Sequence, residues 1–164
     1  MLLFDDTENS EHSESGVVPP DKGEASVESE HAEHHLSLNA LNGSTSVGTL
    51  RFQGQIGKTF VQVLVDGRSS NNFIQPRIAK FLKLLVQLAS GFKVLVGNGQ
   101  YLTAEGVITV LSVLHKLTVP VYLLPVVGTD LILGTTWLAT LGPHEADHAD
   151  MTIKCIHHGK FVTF

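Results

Sequence analysis

From Leu50 onward, apolar and polar residues alternate in short runs set apart by glycine-bearing turns, which is the pattern of a β-protein. Leu50-Arg51-Phe52-Gln53-Gly54-Gln55-Ile56 alternates with period two, turns at Gly57-Lys58 and resumes from Phe60 to Val65. Gln75 to Leu82 breaks the rhythm. Pro76 suits a first helical turn, and Ile78, Phe81 and Leu82 recur at helical spacing, so a short helix is predicted there. Lys93-Val94-Leu95-Val96 and Gln100-Tyr101-Leu102 flank Gly97-Asn98-Gly99, a strong hairpin signal. Val107 to Leu114 and Leu117 to Leu124 predict two further strands. Leu131-Ile132-Leu133-Gly134 leads into a short helix over Thr135 to Leu141, ended by Gly142-Pro143. Met151 to Ile156 and Lys160 to Phe164 predict a closing hairpin around His158-Gly159.

The stretch ahead of these elements has a different texture. Residues 1–35 are rich in Ser, Glu, Gly and Pro without sustained periodicity, too little apolar surface to offset chain entropy, so a disordered acidic tail is expected there. Leu36 to Leu41 alternates once before Asn42-Gly43, as an entry strand or a linker. A domain is expected over residues 36–164.

Composition narrows the function classes. The net charge of −5 is carried by the tail, while bases outnumber acids beyond it, with no basic run interleaved with aromatics. A nucleic-acid surface is not expected. A single cysteine, Cys155, excludes an internal disulfide and fits a reducing compartment. Met1-Leu2-Leu3-Phe4 has no basic flank and does not resemble a signal peptide. Val119 to Leu141 is apolar, but Pro120, Pro125, Gly128, Asp130 and Gly134 interrupt it, which favours buried strands over a membrane helix. An intracellular, cytoplasmic location without membrane association is expected.

The candidate chemistry centres on Asp66. It closes the apolar run Val63-Leu64-Val65 and precedes Gly67-Arg68-Ser69-Ser70. Acids are rarely buried unless paired, so a carboxylate ending a core strand calls for a reason. A turn aspartate bonding the backbone of the next two residues is one reading. The other takes Asp66 together with a second apolar run ending in glycine, Leu131-Ile132-Leu133-Gly134, just before a helix.

In this combination the chain resembles the retropepsin-like aspartic protease domains of plant gypsy-type retrotransposon polyproteins. The resemblance rests on Val63-Leu64-Val65-Asp66, Asn72-Phe73-Ile74, Phe92 through Gly99, Tyr122-Leu123-Leu124-Pro125, Asp130 through Leu138 and Thr140-Leu141-Gly142-Pro143, which stand in that family's order and spacing. It covers about Leu36 to Phe164. It implies a mostly β, closed-barrel-type domain with one or two short helices that is half of a two-fold dimer. Asp66 and its symmetry mate would share one proton in a dyad that cleaves an extended peptide or polyprotein segment. Ser69 would bond the outer carboxylate oxygen, and Gly134 would let a second loop pack closely beneath. Gly97, Asn98 and Gly99 would form the tip of a substrate-binding flap. No cofactor and no metal is called for.

The motif departs from the family after the aspartate. Gly67 lacks the hydroxyl of the usual Ser or Thr, and Arg68 stands where a glycine is usual. Arg68 predicts a strained or shifted backbone and a guanidinium near the dyad that would favour ionisation of both carboxylates. The alternative to an active endopeptidase is therefore a catalytically silent dimerising or peptide-binding module. His31, His34, His35, His144, His148, His157 and His158 lack a zinc-site pattern and are expected to be solvated. Trp137 is expected in the core of the last helix, and Cys155 in an apolar strand.

Overall fold

The computed structural model describes residues 33–109, 112–113 and 117–164, which lie in the compact unit Ala32–Phe164. The expected acidic tail falls outside the described residues except at its end, because strand β1 already begins at His34.

The chain proceeds through β1 (His34–Leu36), helix α1 (Leu38–Asn42), β2 (Thr49–Ile56), β3 (Thr59–Asp66), β4 (Asn72–Ile74) and α2 (Pro76–Phe81). Then follow β5 (Lys93–Val96), β6 (Tyr101–Thr103), β7 (Val107–Ile108), β8 (Ser112–Val113), β9 (Leu117–Thr118) and β10 (Val121–Leu123). The remainder is β11 (Leu131–Leu133), α3 (Thr135–Thr140), β12 (His144–Asp147), β13 (Thr152–His157) and β14 (Lys160–Thr163). The fold is mostly β. No helix among the described residues is long and apolar enough to cross a membrane.

A six-stranded sheet in the order β2-β3-β11-β4-β10-β7 forms the centre. Strands β2 and β3 make the expected hairpin, with Ile56 opposite Thr59 and Gly57 at φ +60° in the turn. Strand β11 runs parallel to β3 and antiparallel to β4, sandwiched between them. Burial on both faces explains why β11, β4 and the end of β3 from Val63 are almost continuously apolar. On one face Val61, Val63, Val65, Ile74, Leu131 and Leu133 pack with Trp137, Leu141, Ile153 and Cys155. On the other, Leu64, Phe73 and Ile132 pack with Leu36, Ala40, Val94, Leu124 and Val126. Each fully buried aliphatic or aromatic side chain contributes about 1.5–3 kcal/mol.

Four predicted elements differ in detail. In α2 the buried residue is Ala79, with Ile78 and Leu82 partly buried, while Phe81 points outward and is 71% exposed. The two strands expected over Val107 to Leu124 are each broken into short pieces, β7 with β8 and β9 with β10; Pro120 interrupts the second pair, because it cannot donate to a ladder. Strand β12 joins the closing hairpin to make a sheet β12-β13-β14.

Candidate functional site

Asp66 is the last residue of β3 and is fully buried. An isolated carboxylate in that position would cost several kcal/mol, and three hydrogen bonds offset the cost. Oδ1 accepts the Arg68 backbone N–H at 3.0 Å, and Oδ2 accepts the Ser69 hydroxyl at 2.9 Å and a short bond from the Ser37 hydroxyl. The Ser69 N–H also closes a turn onto the Asp66 carbonyl at 3.2 Å. The bond from the Arg68 N–H is the one a turn aspartate makes.

The loop is fixed from below by β11 and α3. Leu133 is level with Val65 in the parallel pair, which puts Gly134 beside Asp66. A Cβ at Gly134 would overlap the carbonyl oxygens of Ser69 and Asn71. The Gly134 N–H donates to Asn72 Oδ1 at 3.0 Å. The Thr135 and Thr136 N–H groups donate to the Ser69 and Ser70 carbonyls at 2.8 and 3.2 Å, and the Thr135 hydroxyl to the Ser70 carbonyl at 3.0 Å. These satisfy orphan donors of the first turn of α3 while clamping the aspartate loop.

Gly67 and Arg68 are accommodated without the expected strain. Among the described residues, positive φ at a non-glycine occurs at Lys83, Met151 and His158, and Arg68 is not one of them. Its guanidinium donates to the Val47 carbonyl at 3.4 Å. The loop satisfies Asp66 with backbone and hydroxyl groups, and the long side chain reaches solvent. At Gly67 a Cβ would meet nothing closer than Leu138 Cδ1 at 3.9 Å, an ordinary contact.

The hairpin of β5 and β6 carries Gly97, Asn98 and Gly99 at its tip. Gly99 has φ +85° and donates to the Val96 carbonyl at 2.8 Å, and Asn98 Oδ1 accepts the Gln100 N–H at 3.0 Å. Gly97 donates to the Leu36 carbonyl at 3.1 Å, so close that a Cβ there would approach Leu38 N at 3.0 Å. A solvent-open cleft of about 360 Å³ runs beside this contact, lined by residues that include Ser37, Arg68, Leu95 and Gly99. Ser69, Gly134 and Asp66 therefore form one cluster, and the glycine tip reaches it through the segment Leu36-Ser37.

Ser37 was not legible as part of the site. Its hydroxyl caps α1 by accepting the Ala40 N–H at 3.0 Å while donating to Asp66. A serine just ahead of an apolar run is an N-cap signal that points to the helix, though not to the aspartate. Nor was His34 anticipated. Its ring bonds Asn71 Oδ1 at 2.8 Å and stacks on Phe92, which stacks on Tyr122. His144 bonds the Gly142 carbonyl, and His157 meets His158 edge to face. No three His, Cys, Asp or Glu side chains converge as a metal site among the described residues.

Two solved structures are similar to this chain. The retroviral protease-like domain of Ddi1 from Leishmania major superposes with a TM-score of 0.53 at 19% identity, covering 70% of this chain and 93% of that one. A retropepsin-like aspartic protease from Rickettsia conorii covers 66% and 82% of the two chains at 11% identity, with a TM-score of 0.41. The likeness to the Leishmania domain is one of fold, and the chain has a retropepsin-like fold. No family model and no curated protein matches the sequence.

Proposed function

We propose that the chain is an aspartic endopeptidase domain of the gypsy retrotransposon type, active as a homodimer on extended peptide or polyprotein segments inside the cell. The observation that carries this reading is the fully buried Asp66 carboxylate at a strand end, with three donors fixing both its oxygens. One carboxylate cannot serve as both base and acid in the same step. A second copy would supply the other across a two-fold axis, and repulsion between the pair would leave one proton shared. The ionised member takes a proton from water as the water attacks the peptide carbonyl, and the protonated member polarises the carbonyl oxygen. Ser69 and the Arg68 N–H hold Asp66 in place for this, Gly134 permits the close packing, and Gly97-Asn98-Gly99 covers the bound peptide.

The test is hydrolysis of a peptide library at mildly acidic pH, with and without a transition-state-type aspartic protease inhibitor. Cleavage that is inhibitor-sensitive and lost in Asp66→Ala supports the reading, and its absence from a folded dimer overturns it. One observation favours a second reading, a silent peptide-binding or dimerising module. Gly67 offers no hydroxyl to brace the aspartate loops across a dimer, although the space around it is open.

A further inference from the structure

The aspartate's face of the central sheet is already occupied, and by the chain itself. Leu64 stands two residues before Asp66, so the two side chains share one face of β3. Leu64 packs there in the cluster with Phe73, Val94, Ile132, Leu36 and Ala40. Leu36 and Ala40 come from β1 and α1, and β1 pairs with β5 of the glycine-tipped hairpin.

Residues 34–37 of this segment are held in extended form on two sides. Toward the hairpin, His34, His35 and Leu36 pair in parallel with Val94, Leu95 and Val96, and the Leu36 carbonyl accepts the Gly97 N–H. Toward the aspartate loop, the His35 carbonyl accepts the Ser70 N–H at 2.9 Å, and the His35 N–H donates to Ser70 Oγ at 2.7 Å. The Ser37 N–H donates to Ser69 Oγ at 3.3 Å, and the Ser37 hydroxyl to Asp66. Main-chain bonds along a strand, with a side-chain pocket at alternate positions, are the means by which a sheet edge recognises a peptide.

We infer that residues 34–37, anchored by α1, are an intramolecular occupant of the peptide groove, and that the groove takes an extended peptide with a branched aliphatic side chain in the pocket filled by Leu36, followed by a small hydroxyl residue. This rests on the proposed peptide-cleaving reading for the identity of the groove, but not for its occupancy. A peptide arriving in trans must displace a tethered competitor whose effective concentration is in the millimolar range, roughly. Apparent affinity falls by the fraction of chains with the groove open.

The experiment measures fluorescence anisotropy of a labelled nine-residue peptide, His34 to Asn42, added to the full chain and to its Leu36→Asp variant. The same peptide bearing aspartate at the Leu36 position is the control. Saturable binding to the variant, at least about tenfold tighter than to the native chain and lost with the control peptide, is expected. Equal affinity of both chains, or no binding to a variant that still unfolds cooperatively, overturns the inference. Should the variant fail to fold, hydrogen exchange on the native chain decides. The Ser70 and Gly97 amides should exchange through a local opening well ahead of the Val63 and Leu131 amides. Exchange of all four only with global unfolding makes the segment structural and overturns the inference. Binding without hydrolysis in the variant keeps the occupied groove and removes the catalytic reading. Asp66-dependent hydrolysis that is equally fast in both chains keeps catalysis and removes the occupant.

Discussion

Gly134 sits so tightly against Ser69 that a Cβ on it would overlap the Ser69 carbonyl oxygen, and the Asn71 carbonyl with it. Its backbone angles, φ −99° and ψ −162°, are open to any residue. The requirement for glycine is therefore space and not conformation. In Gly134→Ala, backbone atoms of the aspartate loop must move, since no flexible side chain is available to yield. Overpacking of this kind costs about 1–3 kcal/mol. A urea midpoint lowered at unchanged slope is expected, and an unchanged midpoint would contradict the packing described.

Asp66 separates charge from shape. In Asp66→Asn the amide oxygen can still accept the Arg68 N–H, while the Ser37 and Ser69 hydroxyls rotate to accept from the amide. That variant should fold nearly as well as the native chain and cleave nothing, because no general base remains. Asp66→Leu should be less stable than Asp66→Asn by about 1–3 kcal/mol, since it strands two buried hydroxyls and an N–H. Equal thermal midpoints for the two variants would refute the bonding scheme.

Asp147 offers a pH test remote from the site. Its carboxyl is held below its ordinary value, first by the Asp150 N–H and next by the Ala149 N–H, with Lys154 and His148 adding smaller favourable charge. Folding depresses the pKa, so the contribution is fully present above the unfolded value of about 3.9 and disappears as pH falls through the lower folded value. The stability difference between the native chain and Asp147→Asn should be constant from neutral pH to the unfolded value and shrink below it. A difference that grows with acidification would reverse the assignment.

Legibility in the sequence follows the range of the forces involved. The β2–β3 hairpin, the glycine-tipped hairpin and α2 declare themselves through local periodicity and turn chemistry. The neighbourhood of Asp66 and Gly134 is visible because both end apolar runs, and buried parallel strands have that composition. Strand β12, the polar His144-Glu145-Ala146-Asp147, lies at a sheet edge with little burial and so carries no alternation to find. The bond of Ser37 to Asp66 spans 29 positions, and only docking of residues 34–42 creates it. Arg68 was illegible for a different reason: a long side chain carries no local signal of its direction, and here its exposed guanidinium donates to the Val47 carbonyl.

Arg68 and Gly67 supply the remaining test, because they separate an active from a silent endopeptidase. The guanidinium makes one long bond to the Val47 carbonyl and none to Asp66, so replacing it removes little folding energy. The Arg68 N–H that supports Asp66 Oδ1 belongs to the backbone and survives in Arg68→Gly. The space at Gly67 admits a serine, with Leu138 Cδ1 as its nearest neighbour. In the double variant Gly67→Ser with Arg68→Gly, glycine adds backbone entropy to the unfolded chain, costing about 0.5–1 kcal/mol. The new hydroxyl can bond a partner's loop across a two-fold axis. Sedimentation equilibrium should show tighter dimerisation, and peptide cleavage should rise with it. If native and double-variant chains cleave equally and both depend on Asp66, the native loop is already competent and Gly67 is no defect. If neither cleaves while both form folded dimers, the endopeptidase reading falls and the peptide-binding module stands.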